Sequence, residues 1–359
     1  MDVFEINLIL LFVWYLLTRV LNKQRRDVIF CAAICVQLVI LIGLRDLSIG
    51  GEGMLADIKL YETHYNSLEN QPLGKILSYN DGKSGLFYLL LSLFSRIGLP
   101  YSVFVFIYVA FVIISFSWFV SKYSNSPLLS FLIYFGHAGF VFTYYLYRQC
   151  IAMVLVLFAF HYLIKNKKLT MWIFVLLANL IHFSALIVVP FFFISSIKYN
   201  KKVLVALLLS IVVVFLYRDT LALMLVGYFA EDSILLYDSK GSVGGLSLMC
   251  LGFLLLFILF KWRDIKNRSL TKIDMVSLYG LSFAVLCQFG ASFSYSFSRL
   301  NLFFFQMIIA YAIPNLFSLM SLRKINKYMV APVYVVGNIV IGAIMIVLYF
   351  ATLKEEGLM

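Results

Sequence analysis

Long apolar runs recur along the whole chain and are separated by short hydrophilic segments. Runs of this length read as membrane-crossing helices, because a helix needs roughly 20 apolar residues to span the hydrocarbon. Crossings are expected at about 4–20, 28–44, 101–120, 127–146, 148–164, 203–217, 246–261, 274–291, 300–319 and 329–351. The run Gly85 to Ile97 is only 13 residues long and reads as a re-entrant or interfacial segment. The run Leu169 to Ile197 has basic clusters on both flanks, which predicts a broken hairpin with its tip near Asn179 to Ser184 and His182 at the bend. A single long tilted helix is the plainer alternative. Irregular backbone at such a tip needs a wet or protein-lined setting.

The expected class is all-α: a polytopic helical bundle of about 12 crossings plus the re-entrant segment, forming one transmembrane domain over 1–359. The composition agrees, with 63% hydrophobic and 13% charged residues. The first run, Phe4 to Val20, lacks a small-residue cleavage site and reads as an uncleaved helix. All five cysteines lie inside apolar runs and read as small hydrophobes, not as a disulfide or metal framework. No internal repeat is visible.

The net charge of +12 invites a nucleic-acid reading, but its distribution argues against one. Six segments (19–26, 122, 165–168, 198–202, 261–272 and 323–327) hold 19 of the 29 Lys and Arg and few acids. Basic, acid-poor connections mark the cytoplasmic face. The mixed or acidic segments 45–84 and 218–245 then become extracytoplasmic loops, and the N-terminus lies outside.

No Asp or Glu falls in the middle of an expected span, which counts against an ion- or proton-coupled carrier. No Asp-x-Asp pair, Gly-x-Ser-x-Gly turn or phosphate-binding glycine loop occurs, so neither metal nor cofactor is expected. Arg45, Arg148, His182 and Arg299 fall at outer helix ends. Arginine suits phosphate because its planar fork donates parallel hydrogen bonds and stays charged. Aromatic residues stand beside these cations: Tyr144, Tyr145 and Tyr147 before Arg148, and Phe293, Tyr295 and Phe297 before Arg299. Flat rings can stack on sugars, so a phosphate-bearing glycan is the expected ligand. The bland alternative is snorkelling arginines in an interfacial aromatic belt. Arg148 is harder to read that way, because it separates two apolar runs without any turn-forming residue. Asn179 lies three residues before His182, on the same helical face. His137 and His161 read as structural, and His64, in the first outer loop, as solvated.

These residues resemble the EpsG-type branch of the Wzy-like bacterial polysaccharide polymerases. The best match is Tyr147-Arg148-Gln149-Cys150-Ile151-Ala152, then the basic turn 165–168, then Ile181-His182-Phe183-Ser184-Ala185-Leu186-Ile187 and Pro190. Gly43-Leu44-Arg45, Gly50 and Asp57 to Tyr61 are similar to the opening of that family's outer loop, and Ser298-Arg299-Leu300 with Pro314 to its late arginine and proline. Where the family commonly has an acid and a proline before the third apolar segment, this chain reads Asp81-Gly82-Lys83-Ser84-Gly85.

The resemblance implies a GT-C-like, metal-independent glycosyltransferase in a bacterial inner membrane, with its site facing the exterior. Its substrates would be undecaprenyl-pyrophosphate-linked oligosaccharides, and its partners membrane lipids, a chain-length regulator and a flippase. The growing chain would pass from its lipid carrier to the non-reducing end of a new repeat. Arg148, Arg299 and Arg45 would face the leaving pyrophosphate, and His182 would act as base, with Asp57 or Glu52 as carboxylate alternatives. Tyr61, Tyr147, Gln149, Asn179, Tyr237 and Tyr295 complete the expected substrate-binding set. A lipid-linked oligosaccharide flippase is the main rival reading. A membrane acyltransferase is weaker, because its expected Arg and His pair near the first helix is missing.

Overall fold

The computed structural model describes residues 3–79, 83–137, 139–197, 199–217, 220, 245–290, 295–316 and 327–359. Every regular element among them is helical. In chain order these are α1 (Val3–Thr18), α2 (Lys23–Gly43), α3 (Glu52–Ser67), α4 (Leu73–Leu77), α5 (Gly85–Arg96), α6 (Tyr101–Tyr123), α7 (Pro127–Gly136), α8 (Gly139–Tyr145) and α9 (Tyr147–Ile164). The chain continues through α10 (Lys168–Ile181), a 3-10 turn (Phe183–Ile187), α11 (Val188–Ser195), α12 (Lys201–Leu216), α13 (Gly245–Phe260), α14 (Trp262–Asn267), α15 (Lys272–Gly290), α16 (Tyr295–Met307) and α17 (Lys327–Glu355). A short π-helical turn, Ile308–Ala312, follows α16. In hydrocarbon no water satisfies a backbone amide, so apolar sequence closes its hydrogen bonds within helices.

Five helices are long and apolar enough to cross a membrane among the described residues: α2, α6, α9, Lys272–Phe289 of α15 and Val336–Glu355 of α17. The pair α7 and α8 is apolar enough to cross together but is bent by 58° at its junction, the geometry of a broken span or a re-entrant loop, where one crossing at 127–146 was expected. Val336, Ile339, Val340, Ile344 and Val347 of α17 are exposed while Met345 and Tyr349 are buried, the pattern of a helix with one face in lipid. The protein is therefore a multi-pass helical membrane protein. The run at 85–97 is one short helix, α5.

The chain clusters into two compact units. The first comprises Met1–Leu157, Ile173–Phe183 and Ile309–Met359. Within it α2 packs on α1 and α6, and α7 packs on α17. Gly136 makes the latter approach possible, since a Cβ there would stand 2.5 Å from the Met345 carbonyl oxygen. A polar ladder also ties α1, α2 and α17 together. Trp14 Nε1 donates to Gln37 Oε1 (2.9 Å), Gln37 Nε2 to Asn7 Oδ1 (2.6 Å), and Asn7 Nδ2 to the Tyr349 hydroxyl (3.2 Å). Interhelical bonds of this kind contribute about 0.6 kcal/mol each on average in membranes.

The second unit comprises Phe158–Trp172 and Ser184–Ile308, with α15 packed against α11, α12, α13 and α16. At one end of this unit the basic segments meet. Lys201 Nζ donates to the Lys266 carbonyl (2.8 Å), Lys272 Nζ to the Ser195 carbonyl, and Lys168 is near enough to Lys272 for their charges to interact. Lys261 and Asp274 form a buried ion pair there (2.9 Å). The run 169–197 breaks at His182, and Ser196 Oγ returns to 3.7 Å from Met171 Sδ. A straight helix would separate residues 25 positions apart by roughly 37 Å. The run is a hairpin, not one tilted helix.

Candidate active site

The first outer segment, expected as a loop, is mostly helical. Met54, Ile58, Tyr61 and Tyr65 form a buried stripe along α3, while Glu52, Lys59 and Glu62 stay exposed. The stripe has helical spacing, but its interleaved charges hide it from a search for long apolar runs. Three hydrogen bonds hold α3 in place. Tyr65 donates to the Leu99 carbonyl (2.7 Å), Tyr101 to the Ile58 carbonyl (3.2 Å), and Gly51 N–H, at the helix start, to the Glu356 carbonyl (2.8 Å). The C-terminal segment thus anchors α3, a link that no local pattern announces.

The face of α3 that carries Asp57, Tyr61 and His64 meets α5 and the start of α9. Only Leu146 separates α8 from α9, and its N–H and carbonyl keep helical hydrogen bonds with Phe142 and Cys150, so Arg148 stands in the first turn of α9, facing α3. Arg148 Nε donates to the Tyr61 hydroxyl (3.3 Å) and Nη1 to the Tyr88 hydroxyl (3.4 Å). The guanidinium also lies over both rings, 5.6 and 6.0 Å from their centroids. Both hydrogen bonds are long, and Nη2 has no described protein acceptor. Tyr61 stacks on Tyr147 at 4.9 Å, and Tyr147 packs against Tyr108. Burial raises the Tyr61 phenol to about 12 despite the neighbouring Arg148, so it remains a neutral hydroxyl at neutral pH. Asp57 is half-buried, close enough for its charge to act on Arg148.

Arg45 is held differently. Nη1 donates to the Ile42 carbonyl (2.6 Å), and Nη2 to the Tyr144 carbonyl and the Tyr147 hydroxyl (3.0 Å), with the Tyr144 ring 4.8 Å away. Nη1 and Nη2 thus join the end of α2 to the α8–α9 junction, while Nε is buried without a hydrogen-bond partner. Gln149 is buried behind Arg148.

His64, expected to be solvated, is half-buried. Its ring closes a triangle with Tyr79 (5.0 Å, 75°) and Tyr88 (5.4 Å, 72°), which touch each other at 4.7 Å, and Nδ1 is enclosed without a hydrogen-bond partner. Burial, and then the Arg148 charge, lower its pKa below the ordinary histidine value. The spacing Asp57, Tyr61, His64 on one helical face was the signal that would have found it. Tyr88 had no such signal, because α5 reads as plain apolar sequence.

Asn179 spends Nδ2 on the Val175 carbonyl of its own helix (2.8 Å). His182 is the half-buried residue at the hairpin break, and the described contacts among Tyr61, Tyr88 and Arg148 do not include it. Arg299 is half-buried within α16 of the second unit, and Tyr295 begins that helix. Tyr237 lies outside the described residues, as does the loop 218–245 except residue 220 and the start of α13 at Gly245. Among the described residues no His, Cys, Asp and Glu cluster could hold a metal ion.

An arginine held by two tyrosine hydroxyls beside the short helices α3 and α5, on a multi-pass helical body, characterises this helical membrane protein. The sequence profile of the EpsG family matches residues 28–357, nearly the whole chain, and the protein belongs to that family. Membership indicates a function of the polysaccharide-polymerase type. No curated protein and no solved structure was found to match the chain.

Proposed function

We propose that the protein polymerises undecaprenyl-pyrophosphate-linked oligosaccharide repeats on the outer face of a bacterial inner membrane, moving the growing glycan from its lipid carrier to the non-reducing end of a new repeat. The observation that carries this reading is Arg148: two long hydrogen bonds to Tyr61 and Tyr88 orient it, and Nη2 is left for a ligand. Charge develops on the pyrophosphate as the anomeric carbon–oxygen bond breaks. A preoriented cation stabilises that charge without reorganising at the moment of reaction. Tyr61, Tyr88 and Tyr147 supply rings against which a sugar packs. A base must also take the acceptor proton. His182, at the hairpin break, and His64, beside Arg148, are the two histidines proposed for it. Arg299 is proposed as a second pyrophosphate contact, and a flippase and a chain-length regulator as partners.

The test is polymer length in cells. Arg148→Ala and Arg148→Lys should both collapse the glycan ladder to a single repeat, because lysine keeps the charge and loses the fork. Losing one transition-state donor costs about 10²–10³-fold in rate. Normal ladders from both variants, at normal protein levels, remove Arg148 from the reaction.

A further inference from the structure

We infer that His64, not His182, takes the proton from the attacking acceptor hydroxyl. The inference rests on the polymerase reading above and names a residue that the sequence pattern left in a solvated loop.

Geometry comes first. Tyr88 joins the two groups, since its hydroxyl accepts from Arg148 Nη1 at 3.4 Å and its ring meets the His64 ring at 5.4 Å. His64 and Arg148 therefore flank one tyrosine, as a base and a leaving-group cation must when both act on one glycosidic bond. No described hydrogen bond ties the imidazole to the fold through Nδ1: the ring packs edge-on against the touching pair Tyr79 and Tyr88, and no described acceptor or carboxylate binds Nδ1. A histidine serving the fold would donate to a carbonyl or carboxylate, because an unsatisfied buried polar atom costs about 1–3 kcal/mol. The groups facing His64 are Tyr79, Tyr88 and the Arg148 charge. None of them is an anion that would hold the ring protonated, and the lowered pKa keeps it neutral at neutral pH. A neutral imidazole can accept a proton; an imidazolium cannot.

The step balances. The acceptor O–H bond breaks and its proton passes to an imidazole nitrogen of His64. The acceptor oxygen forms the new bond to the anomeric carbon of the donor chain. The bond from that carbon to the pyrophosphate oxygen breaks, and its electron pair leaves with the lipid pyrophosphate against Arg148. The imidazolium then returns its proton to water.

The test uses the full-length protein in lipid nanodiscs and lipid-linked repeats extracted from cells that carry the same glycan genes but lack this protein. His64→Gln and His64→Asn should lower the polymerisation rate by about 10²–10⁴-fold. Thermal stabilisation by inorganic pyrophosphate should persist in both and vanish in Arg148→Ala. The wild-type rate should fall on the acid side, through a pKa below the ordinary histidine value of about 6.5, and that acid limb should persist in His182→Gln whatever the variant's rate. A wild-type profile that is flat through that region overturns the assignment without recourse to any variant. So does wild-type polymerisation by His64→Gln, or loss of the acid limb in His182→Gln alone, and either would leave the polymerase reading intact. If the wild-type protein makes no polymer but carries the repeats across a bilayer, the polymerase reading itself fails.

Discussion

Arg45 and Arg148 look alike in sequence, each at an outer helix end near tyrosines, yet their surroundings give them different work. Arg45 points its donors at the Ile42 and Tyr144 carbonyls and the Tyr147 hydroxyl, whereas Arg148 makes only two long bonds to phenols. Arg45→Lys should therefore lower the thermal midpoint, since a hydrogen bond from a charged group contributes about 1.5–3 kcal/mol and lysine cannot reach the same set of acceptors. Stabilisation by inorganic pyrophosphate should survive the change. Loss of that response with an unchanged midpoint would make Arg45 a ligand instead. Arg148 stood out in the sequence because it interrupts apolar residues where no turn-forming residue explains a break. His64 was not, because its meaning depends on Tyr79 and Tyr88, which its own helix does not contain.

At the level of elements, the clearest result is the hairpin formed by α10 and α11. Basic flanks on both sides of an apolar run required it, and the contact of Met171 with Ser196 displays it. Cysteines replacing Met171 and Ser196, on a cysteine-free background, should cross-link under mild oxidation without a spacer. A tilted continuous helix would hold them roughly 37 Å apart and prevent it. Other elements departed from expectation for local reasons. The run 127–146 bends by 58° between α7 and α8, where Gly136 and His137 end the first helix. The outer segment folded into α3 because tertiary partners bury one stripe of a mostly polar sequence. Short helices of mixed composition are marginal alone and form when such a stripe is packed.

For the whole molecule, the basic segments give a topological prediction. Lys168, Lys201, Lys266 and Lys272 lie at one end of the second unit, where the positive-inside rule places the cytoplasm. Single cysteines in 165–168, 198–202 and 261–272 should resist an impermeant thiol reagent applied from outside. A cysteine at the exposed Glu62 of α3 should react readily. Labelling of any of the three basic segments as readily as position 62 would invert this orientation.

Periodicity and charge placement by themselves determined that the chain is helical and multi-pass, where its runs begin and end, and that residues 169–197 turn back. These properties follow from local composition measured against a fixed hydrocarbon thickness, so each is written within a few dozen residues. Motif order was enough to suggest the family that the chain proved to belong to. Only the tertiary structure decided how each cation is held, because a guanidinium's acceptors are distant in sequence: Tyr61 lies 87 positions from Arg148, and Tyr144 lies 99 from Arg45. It also decided that His64 is half-buried. The rings beside it come from the segment after α4 and from α5, and burial belongs to the packed assembly of elements, not to any one of them.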